Sequence, residues 1–376
     1  MSDSVEIGMG RTARRSYTLD DIGIVPTRRT RSSADISTAW QIDAYRFEIP
    51  LLTQPSDAVV DPDTAVAVGR LGGLGVIDGE GLWARHAEPR RVIQELIELA
   101  ETAESTEQVV AAVQQAYSAP VSVDLLTEAV HTLRDGGGTV AVRLSPQNAG
   151  SLAQQVISAG VELLVIQGTI VSAEHVQGSG EALNLKSFIA DLDVPVIVGG
   201  CTNYQTATHL MRTGAAGVIV GTGAGMTSTT DEVLGIEVAM ATAIADAAAA
   251  RRSYLDETGG RYVHVIAAGD IATSADVAKA IACGADAVML GEPLSEADSA
   301  PAAGWFWPPS AAHPALPRGY PLPTGSADVP IERLLNGPAI GADGRTNLFG
   351  ALRRAMAKTG YSDLKEFQKV GLSVAH

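Results

Sequence analysis

A glycine-spaced loop with a hydroxyl-rich end is the stretch of this sequence best suited to chemistry. Glycines at alternate positions allow positive φ and let backbone N–H groups approach a ligand, and side-chain hydroxyl groups add further donors. The pattern predicts a loop that cradles an anionic group such as phosphate, although a plain strand-to-helix turn would also carry these glycines. The residues concerned are Gly221, Gly223, Gly225, Ser228, Thr229 and Thr230.

Short apolar runs rich in β-branched residues recur along the chain, and this loop follows one of them. They predict buried strands near residues 50, 75, 141, 164, 197, 218, 265 and 288, each followed by a helical segment. Eight consecutive units of this kind favour a closed (β/α)8 TIM barrel, as a single α/β domain, over an open doubly wound sheet. A Rossmann domain would need a G-x-G-x-x-G motif after the first strand, and the sequence has none there. Ligands of such barrels bind at the carboxyl ends of the strands.

The regular pattern predicts one barrel domain with flanking segments. Trp305 to Trp307 begin a stretch rich in proline and glycine, and an anchor that packs this stretch on the barrel explains them better than base stacking does. The segments are 1–48, an N-terminal extension on the barrel; 49–300, the barrel; 86–136, two helical patterns within it; 301–345, a flap-like loop; and 346–376, C-terminal helices that complete the domain.

Composition and charge narrow the possible partners. The 376 residues are 46% hydrophobic with a formal net charge of −16, so we expect a globular cytoplasmic protein that repels nucleic acid and anionic membranes. The two cysteines, Cys201 and Cys283, exclude a disulfide framework and a multi-thiolate zinc site. The histidines lack metal-ligand spacing, and no stretch predicts a secretory leader or a membrane span. We therefore expect a small-molecule ligand and no metal.

Several of these stretches, in this order, resemble the IMP dehydrogenase and GMP reductase family over nearly the whole chain. Members of that family often carry a pair of CBS modules after the second strand, and residues 86–136 are too few to contain it. The chain is therefore similar to the CBS-less, IMP dehydrogenase-related subgroup, and the resemblance implies a homo-oligomer, a tetramer as in other members of the family. The matching stretches are 17–21, 49–52 with Asp57, 72–75, the loop ending at Thr229 and Thr230, 284–291 and 350–364.

The resemblance implies an oxidoreductase of purine nucleotides that uses NAD or NADP. In that family a cysteine of the glycine-rich loop attacks the purine C2 while hydride passes to or from the nicotinamide. The corresponding position here is Ser228, followed by Thr229 and Thr230. A serine hydroxyl without an adjacent base is a much weaker nucleophile than a thiol. We therefore expect the covalent step to be altered or lost.

The resemblance also implies the binding residues, several of which are substituted. Ala268 stands where the family has the aspartate that holds the ribose, and Asp270 and Glu292 would face the phosphate. At about 4 Å and an effective dielectric of about 20, each like-charge pair costs about 4 kcal/mol. Cys201 is better explained by packing at a strand end than by redox chemistry. The substrate set is Gly221, Gly223, Gly225, Gly269, Asp270, Gly291 and Glu292, and the cofactor set is Gln167, Gly199, Gly200 and Cys201.

Three hypotheses about function follow from these substitutions. The first is an altered but active oxidoreductase of purine nucleotides with NAD or NADP. The second is a barrel that has lost this chemistry, needs no cofactor and acts as a binding or regulatory protein. The third is an enzyme acting on a neutral or cationic ligand without phosphate, because the rim of the barrel carries carboxylates where the family binds an anion.

Overall fold

The chain folds into an eight-stranded parallel barrel, as the sequence predicts. The computed structural model describes residues 4–174, 183–222, 230–311, 319–325 and 327–374. From the second strand to the eighth, each barrel strand pairs in parallel with the next one in the chain, the eighth pairs with the first, and the first and second meet through a single bridge between Leu52 and Leu74. The strands are β1 (Leu51–Thr53), β2 (Val76–Asp78), β3 (Ala141–Leu144), β4 (Leu163–Gln167), β5 (Val196–Cys201), β6 (Gly217–Val220), β7 (His264–Ala267) and β8 (Ala287–Leu290).

The ring closes between β1 and β2 through Leu74 and Thr53. Leu74 donates its N–H to the Leu51 carbonyl at 2.8 Å, and Thr53 donates its N–H to the Leu74 carbonyl at 3.0 Å. The Thr53 hydroxyl then accepts from the Val76 N–H at 2.7 Å. A side chain thus replaces a backbone partner where the two strands separate, so the Val76 N–H keeps a hydrogen-bond acceptor at the closure.

Helices connect the strands of the barrel, and two further helices follow near the carboxyl end of the chain. Gly160, Gly214 and Gly284 follow helices and adopt φ values of 118°, 100° and 117°, which glycine tolerates better than other residues. Each of these three helices thus ends near a glycine that leads directly into the next barrel strand. The helices are α1 (Pro62–Arg70), α2 (Pro89–Thr102), α3 (Thr106–Ser118), α4 (Val123–Asp135), α5 (Ala149–Ala159), α6 (Leu185–Ala190), α7 (Tyr204–Met211), α8 (Thr230–Leu234), α9 (Met240–Thr258), α10 (Ser274–Ala282), α11 (Ile331–Asn336), α12 (Leu348–Thr359) and α13 (Leu364–Phe367).

Four short antiparallel pairs lie outside the barrel. Two of them belong to the N-terminal extension, one joins it to the C-terminus, and one lies in the segment after β8. They are Ser4–Gly8 with Arg11–Arg14, Trp40–Ile42 with Tyr45–Phe47, Ile22–Val25 with Gly371–Val374, and Trp305–Phe306 with Leu322–Pro323.

The structure corrects two expectations about the segments. Residues 86–136 contain three helices, α2 to α4, where the sequence pattern predicts two, because α3 and α4 are separated by only four residues around Pro120. Residues 301–345 contain a short strand pair and helix α11 as well as loop. Among the described residues, no helix has the length and apolar character needed to cross a membrane.

Candidate functional site

Charged side chains at the carboxyl ends of β2 and β3 form a buried ion pair. Arg143 Nη1 lies 3.1 Å from Asp78 Oδ1. Arg143 also donates from Nε and Nη2 to the Gln167 carbonyl oxygen at the end of β4, at 3.1 and 2.8 Å. Burial raises the pKa of Asp78, and the Arg143 charge offsets only part of that rise. One guanidinium thus ties three strand ends together at the rim.

Asp57, in the loop after β1, is a buried carboxyl group beside this pair. Its Oδ2 accepts a hydrogen bond from the Tyr117 hydroxyl at 2.6 Å and another from the Leu82 N–H at 2.9 Å. Its Oδ1 has no partner among the described residues. Burial, and then the negative charge of Asp78, raise the pKa of Asp57 to about 7. Such a carboxyl group changes its protonation state near neutral pH, as acids and bases at functional sites do.

Trp307 connects the segment after β8 to this part of the rim. Its indole Nε1 donates to the Tyr117 hydroxyl at 3.0 Å, and its carbonyl accepts from the Ser56 hydroxyl. The side chain is 1% exposed. The prediction that the Trp305 to Trp307 stretch is a packing anchor is therefore confirmed for Trp307.

Glu80, just after β2, holds the loop that follows β3. Its carboxylate accepts from the N–H and hydroxyl of Ser145 and from the side-chain amide of Asn148. Burial alone would raise the pKa of Glu80, but the Arg143 charge and these donors lower it below its usual range. Glu80 therefore adds a fixed negative charge to the rim at neutral pH.

The two glycines predicted for the cofactor, Gly199 and Gly200, are packed into the wall of the barrel. Gly200 donates its N–H to the Gly168 carbonyl, and the Gly199 and Gly200 carbonyls accept from the N–H groups of Gly168 and Val171. A Cβ on Gly200 would lie 2.0 Å from the Gly221 carbonyl oxygen. These glycines thus allow β5, β6 and the loop after β4 to approach closely, and their backbone groups are already hydrogen-bonded.

Gln167 and Cys201, the other two cofactor candidates, are also buried. Gln167 Nε2 lies 3.5 Å from the Met289 sulfur, and its Oε1 has no partner among the described residues. Cys201 is 1% exposed, and burial raises the pKa of its thiol to about 12. The thiol is therefore protonated at neutral pH, in agreement with a packing role.

The glycine-rich loop is described only at its two ends. Gly221 has a φ of 121°, and a Cβ there would lie 2.0 Å from the Ala268 carbonyl oxygen, so close packing requires glycine. Thr230 is buried at the start of α8. The predicted residues Gly223, Gly225, Ser228 and Thr229 lie outside the described residues.

Asp270, after β7, is placed among other carboxylates. It follows Gly269 and has a φ of 53°, in the left-handed region that favours glycine. Partial desolvation, and then the nearby charges of Asp231 and Glu237, raise its pKa, with smaller contributions from Asp20 and Asp276. The side chain still reaches solvent, so screening weakens this repulsion. The carboxylates around Asp270 nevertheless disfavour an anion at this position, and the predicted place of Asp270 beside a phosphate stays a prediction.

Glu292, after β8, is in contact with a cation that the sequence reasoning missed. Arg345 Nη2 lies 3.0 Å from Glu292 Oε1, and the same guanidinium also pairs with Glu296. A Cβ on Gly291 would lie 1.8 Å from Gln54 Oε1, so Gly291 is required by packing. Arg345 therefore offsets part of the negative charge of Glu292 and Glu296, and the predicted place of Glu292 beside a phosphate stays a prediction.

The match to known families covers most of the barrel. The family model described as the IMP dehydrogenase / GMP reductase domain matches residues 16–308. The chain belongs to this family. Between β2 and β3 the described residues contain only α2, α3, α4 and a short 3-10 turn, with no CBS insertion.

Relatives within the family support the assignment along the whole chain. A protein of Mycolicibacterium smegmatis named as an uncharacterized oxidoreductase is 61% identical over 373 residues, covering 98% of this chain and 99% of that protein. The crystal structure of an IMP dehydrogenase/GMP reductase-like protein from Corynebacterium glutamicum has a TM-score of 0.94 and 54% identity, covering 99% of this chain and 98% of that one. An inosine-5'-monophosphate dehydrogenase of Methanocaldococcus jannaschii is 25% identical, covering 77% of this chain and 73% of that enzyme.

The residues that the family resemblance assigns to a nicotinamide cofactor do not fit that role here. Gln167 supplies no carboxylate for a ribose, the backbone groups of Gly199 and Gly200 are already used, and Cys201 is buried. The other thiol, Cys283, lies at the end of α10, away from the carboxyl rim, and burial raises its pKa to about 11. Neither cysteine of this family member is therefore available as a thiolate nucleophile. The described residues also contain no group of side chains suited to hold a metal ion.

Five residues of the rim were missed by sequence reasoning: Asp78, Glu80, Tyr117, Arg143 and Arg345. Tyr117 lies in the helical segment 86–136, where only the apolar periodicity drew attention. Arg143 interrupts an otherwise apolar strand, which is a usable signal, because a charge inside a buried strand needs a partner. Arg345 lies in the segment after β8, and no sequence pattern indicates its contact with Glu292 and Glu296.

Proposed function

We propose that the carboxyl rim of this barrel binds a small neutral or cationic ligand without a phosphate group, and that the chain does not perform cysteine-dependent purine oxidation. One observation carries the proposal: Asp270 lies among carboxylates that raise its pKa, while Arg345, the cation beside β8, is already paired with Glu292 and Glu296. A phosphate dianion in this region would meet negative charge, and the cation described there is already paired with carboxylates. The protein would then act as a binding or regulatory member of the family.

The lack of an available thiolate supports the second half of the proposal. The family's cysteine position is Ser228 in the sequence, and the two thiols of the chain are held elsewhere with raised pKa values. A hydroxyl group needs an adjacent base to attack carbon at a useful rate. The fixed carboxylates of the rim suit hydrogen bonding to hydroxyl and amino groups, as found on a nucleoside or a cationic amine.

The second candidate is an oxidoreductase of purine nucleotides that uses NAD or NADP. The names of relatives at 61% identity favour it, because they are described as oxidoreductases. It would require the rim to bind a nucleoside monophosphate and the chain to hold a nicotinamide cofactor through residues other than the four candidates.

Ligand-dependent thermal stability distinguishes the two candidates. We expect millimolar inosine, guanosine or a cationic amine to raise the melting temperature and IMP and GMP to leave it unchanged, since a ligand at 100 times its Kd stabilises by about 2.7 kcal/mol. NAD and NADPH are tested alone and with each nucleotide, together with nicotinamide absorbance as the measure of turnover. Stabilisation by IMP or GMP with turnover would contradict the proposal, and so would a complete lack of response to all phosphate-free ligands.

Exchanging the two rim carboxylates should create affinity for phosphate compounds. In the double variant Asp270→Gly, Glu292→Ser, Arg345 loses one of its two carboxylate partners and the left-handed backbone at 270 receives the residue it favours. We expect IMP binding to strengthen by about tenfold or more, which corresponds to about 1.4 kcal/mol. The matched control removes two exposed carboxylates elsewhere, Glu128→Ser with Glu332→Ser, and should leave IMP binding unchanged. Equal gains in both variants would mean that only the net charge matters.

A further inference from the structure

Helices α2 and α3 form a hairpin with an apolar groove between them. Three residues join the two helices, and such a short connection makes them antiparallel neighbours. The apolar lining of the groove consists of Val92, Leu96, Leu99, Ala112, Ala116 and Ala119. Its volume is about 400 Å³, whereas truncation of one large core side chain leaves a cavity of about 150 Å³. The groove therefore has room for more than one side chain.

The apolar residues of both walls follow the helical repeat. On each wall they are spaced by four and then by three positions, so each set lies on one face of its helix. Ile93 and Val113, on other faces, are buried in the core of the protein. Val92, Leu99 and Ala112 in the groove stay partly exposed. The hairpin thus has a second apolar face besides the one that packs on the barrel.

The walls of the groove favour a helix as its occupant. Both walls are helices, which use their backbone donors and acceptors internally, so an extended peptide could not add to them as a strand. The apolar side chains on the α3 wall are all alanines, and small side chains let a second helix approach closely. Helix α2 has 14 residues and a length of about 21 Å, which matches three to four turns of a partner helix, at about 5.4 Å per turn.

The charge around the groove selects a basic helix. Residues 86–122 contain six glutamates and two arginines. Arg90 pairs with Asp61, and Arg91 pairs with two of the six glutamates. The other four recur at every third position and are exposed, and in the described chain none of them pairs with a lysine or arginine: Glu98, Glu101, Glu104 and Glu107. This local negative field attracts a cationic partner and repels an anionic one.

We propose that the groove between α2 and α3 is a docking site for a basic amphipathic helix of a partner protein. The apolar face of the partner helix packs on the lining of both walls and removes it from water. The lysine and arginine side chains of the partner lie in the negative field of the glutamates. The groove contains none of the residues proposed for the ligand at the barrel rim, so either proposal can fail without the other.

Binding of synthetic helices tests the chemistry of the partner. The probe is a fluorescein-labelled peptide of about 14 residues with leucines on one helical face and lysines on the other. One comparison peptide has glutamate in place of each lysine, and another has the same leucines spread around the helix. We expect the full-length chain to raise the anisotropy of the basic amphipathic peptide, and to bind each comparison peptide more weakly by about tenfold or more. A basic peptide that stays unbound, or a comparison peptide that binds as tightly, would overturn the proposal.

Two neighbouring alanines of α3 test whether the peptide occupies the groove. Ala112 lines the groove, whereas Ala111 is exposed and does not line it. Lysine is a good helix former, so Ala112→Lys and Ala111→Lys should both keep α3 and change the net charge equally. We expect Ala112→Lys to weaken binding by about tenfold or more, because its side chain fills the groove and repels the peptide, and Ala111→Lys to bind like the wild type. Equal affinities of the two variants would place the peptide elsewhere and contradict the proposal.

Molar mass in solution distinguishes a partner helix from a second copy of this chain. Circular dichroism first shows that both lysine variants are folded. We expect the wild type, Ala112→Lys and Ala111→Lys to have the same molar mass without peptide. A lower mass for Ala112→Lys alone would mean that another copy occupies the groove, and it would also overturn the proposal.

Removal of carboxylates tests the electrostatic attraction. The triple variant Glu98→Gln, Glu101→Gln, Glu104→Gln should bind the basic peptide more weakly, and its binding should depend less on salt concentration. The matched control removes three negative charges at exposed positions elsewhere and should bind like the wild type: Asp193→Asn, Asp256→Asn and Glu332→Gln. Equal weakening in both triple variants would mean that only the net charge of the protein attracts the peptide, and the groove would not be its site.

Discussion

Replacing Asp286 by alanine is expected to lower the free energy of unfolding by about 3–5 kcal/mol, since it leaves the buried Arg251 guanidinium without its partner. Asp286 precedes β8 at the amino end of the barrel and is 2% exposed. Its carboxylate lies 2.6 Å from Arg251 Nη1 and 2.8 Å from Lys365 Nζ. It also accepts from the Tyr262 hydroxyl at 2.7 Å. Urea unfolding of the variant and the wild type measures the loss.

A surface ion pair provides the control for this change. Glu257 pairs with Arg212, and both side chains are about half exposed, so Glu257→Ala should have a small effect on stability.

The contribution of Asp286 should depend on pH. Burial alone would raise the pKa of Asp286, but Arg251 and Lys365 hold that pKa well below its usual range. A lowered pKa stabilises the fold above the unfolded value of about 4, and the contribution is lost as pH falls below it. The difference between wild type and Asp286→Ala should therefore shrink in acid, and a difference below about 1 kcal/mol at neutral pH would contradict the role of this cluster.

The barrel itself could be predicted because its signals are local. Each strand is a short run of apolar, mostly β-branched residues, and a glycine with positive φ, such as Gly160 or Gly284, ends the helix before several of them. Periodicity and turn chemistry are properties of neighbouring residues, so they are visible in one sequence. Eight such units in succession leave few arrangements other than a closed ring.

The contacts at the rim could not be predicted because they join residues far apart in the chain. Tyr117 is 60 residues from Asp57, and Trp307 is 190 residues from Tyr117. Arg345 is 53 residues from Glu292. The sequence indicates that Glu292 lies at the rim, since strand ends meet there, but no local pattern reveals which cation neutralises it. The net charge around a site is thus harder to infer from a sequence than the positions of the residues that form it.

The pKa of a buried carboxyl group at the rim could not be predicted from the sequence either, because it depends on the partners of that group. Asp57 and Glu80 are both buried carboxyl groups at the rim, yet the pKa of Asp57 is raised and that of Glu80 is lowered. The difference lies in the partners: Glu80 accepts from Ser145 and Asn148 and faces Arg143, whereas Asp57 faces the negative Asp78. The same residue type thus supplies a fixed charge at one position and a group that titrates near neutrality at another.

Asp57→Asn should stabilise the protein relative to the wild type as pH rises from about 5 to 8. Because the folded-state pKa of Asp57 is raised to about 7, the folded protein binds this proton more tightly than the unfolded chain does. The wild type should therefore lose about 1.4 kcal/mol per pH unit between the unfolded pKa of about 4 and the folded value. Asparagine resembles the protonated acid, and its oxygen can still accept from Tyr117 and Leu82, so the variant lacks this loss.

Urea unfolding at several pH values measures the effect, with Asp256→Asn as the control at an exposed position. Intrinsic tryptophan fluorescence gives a second readout, because Trp307 donates to the same hydroxyl group that Asp57 accepts from. Ionisation of Asp57 strengthens its hydrogen bond with Tyr117 and so changes the polarity around the indole. The wild type should show a fluorescence transition near pH 7 that Asp57→Asn lacks. If the difference in stability between wild type and Asp57→Asn stays constant across this pH range, Asp57 is ionised throughout and its pKa is not raised. A proton on Asp57 would then play no part in what the barrel binds.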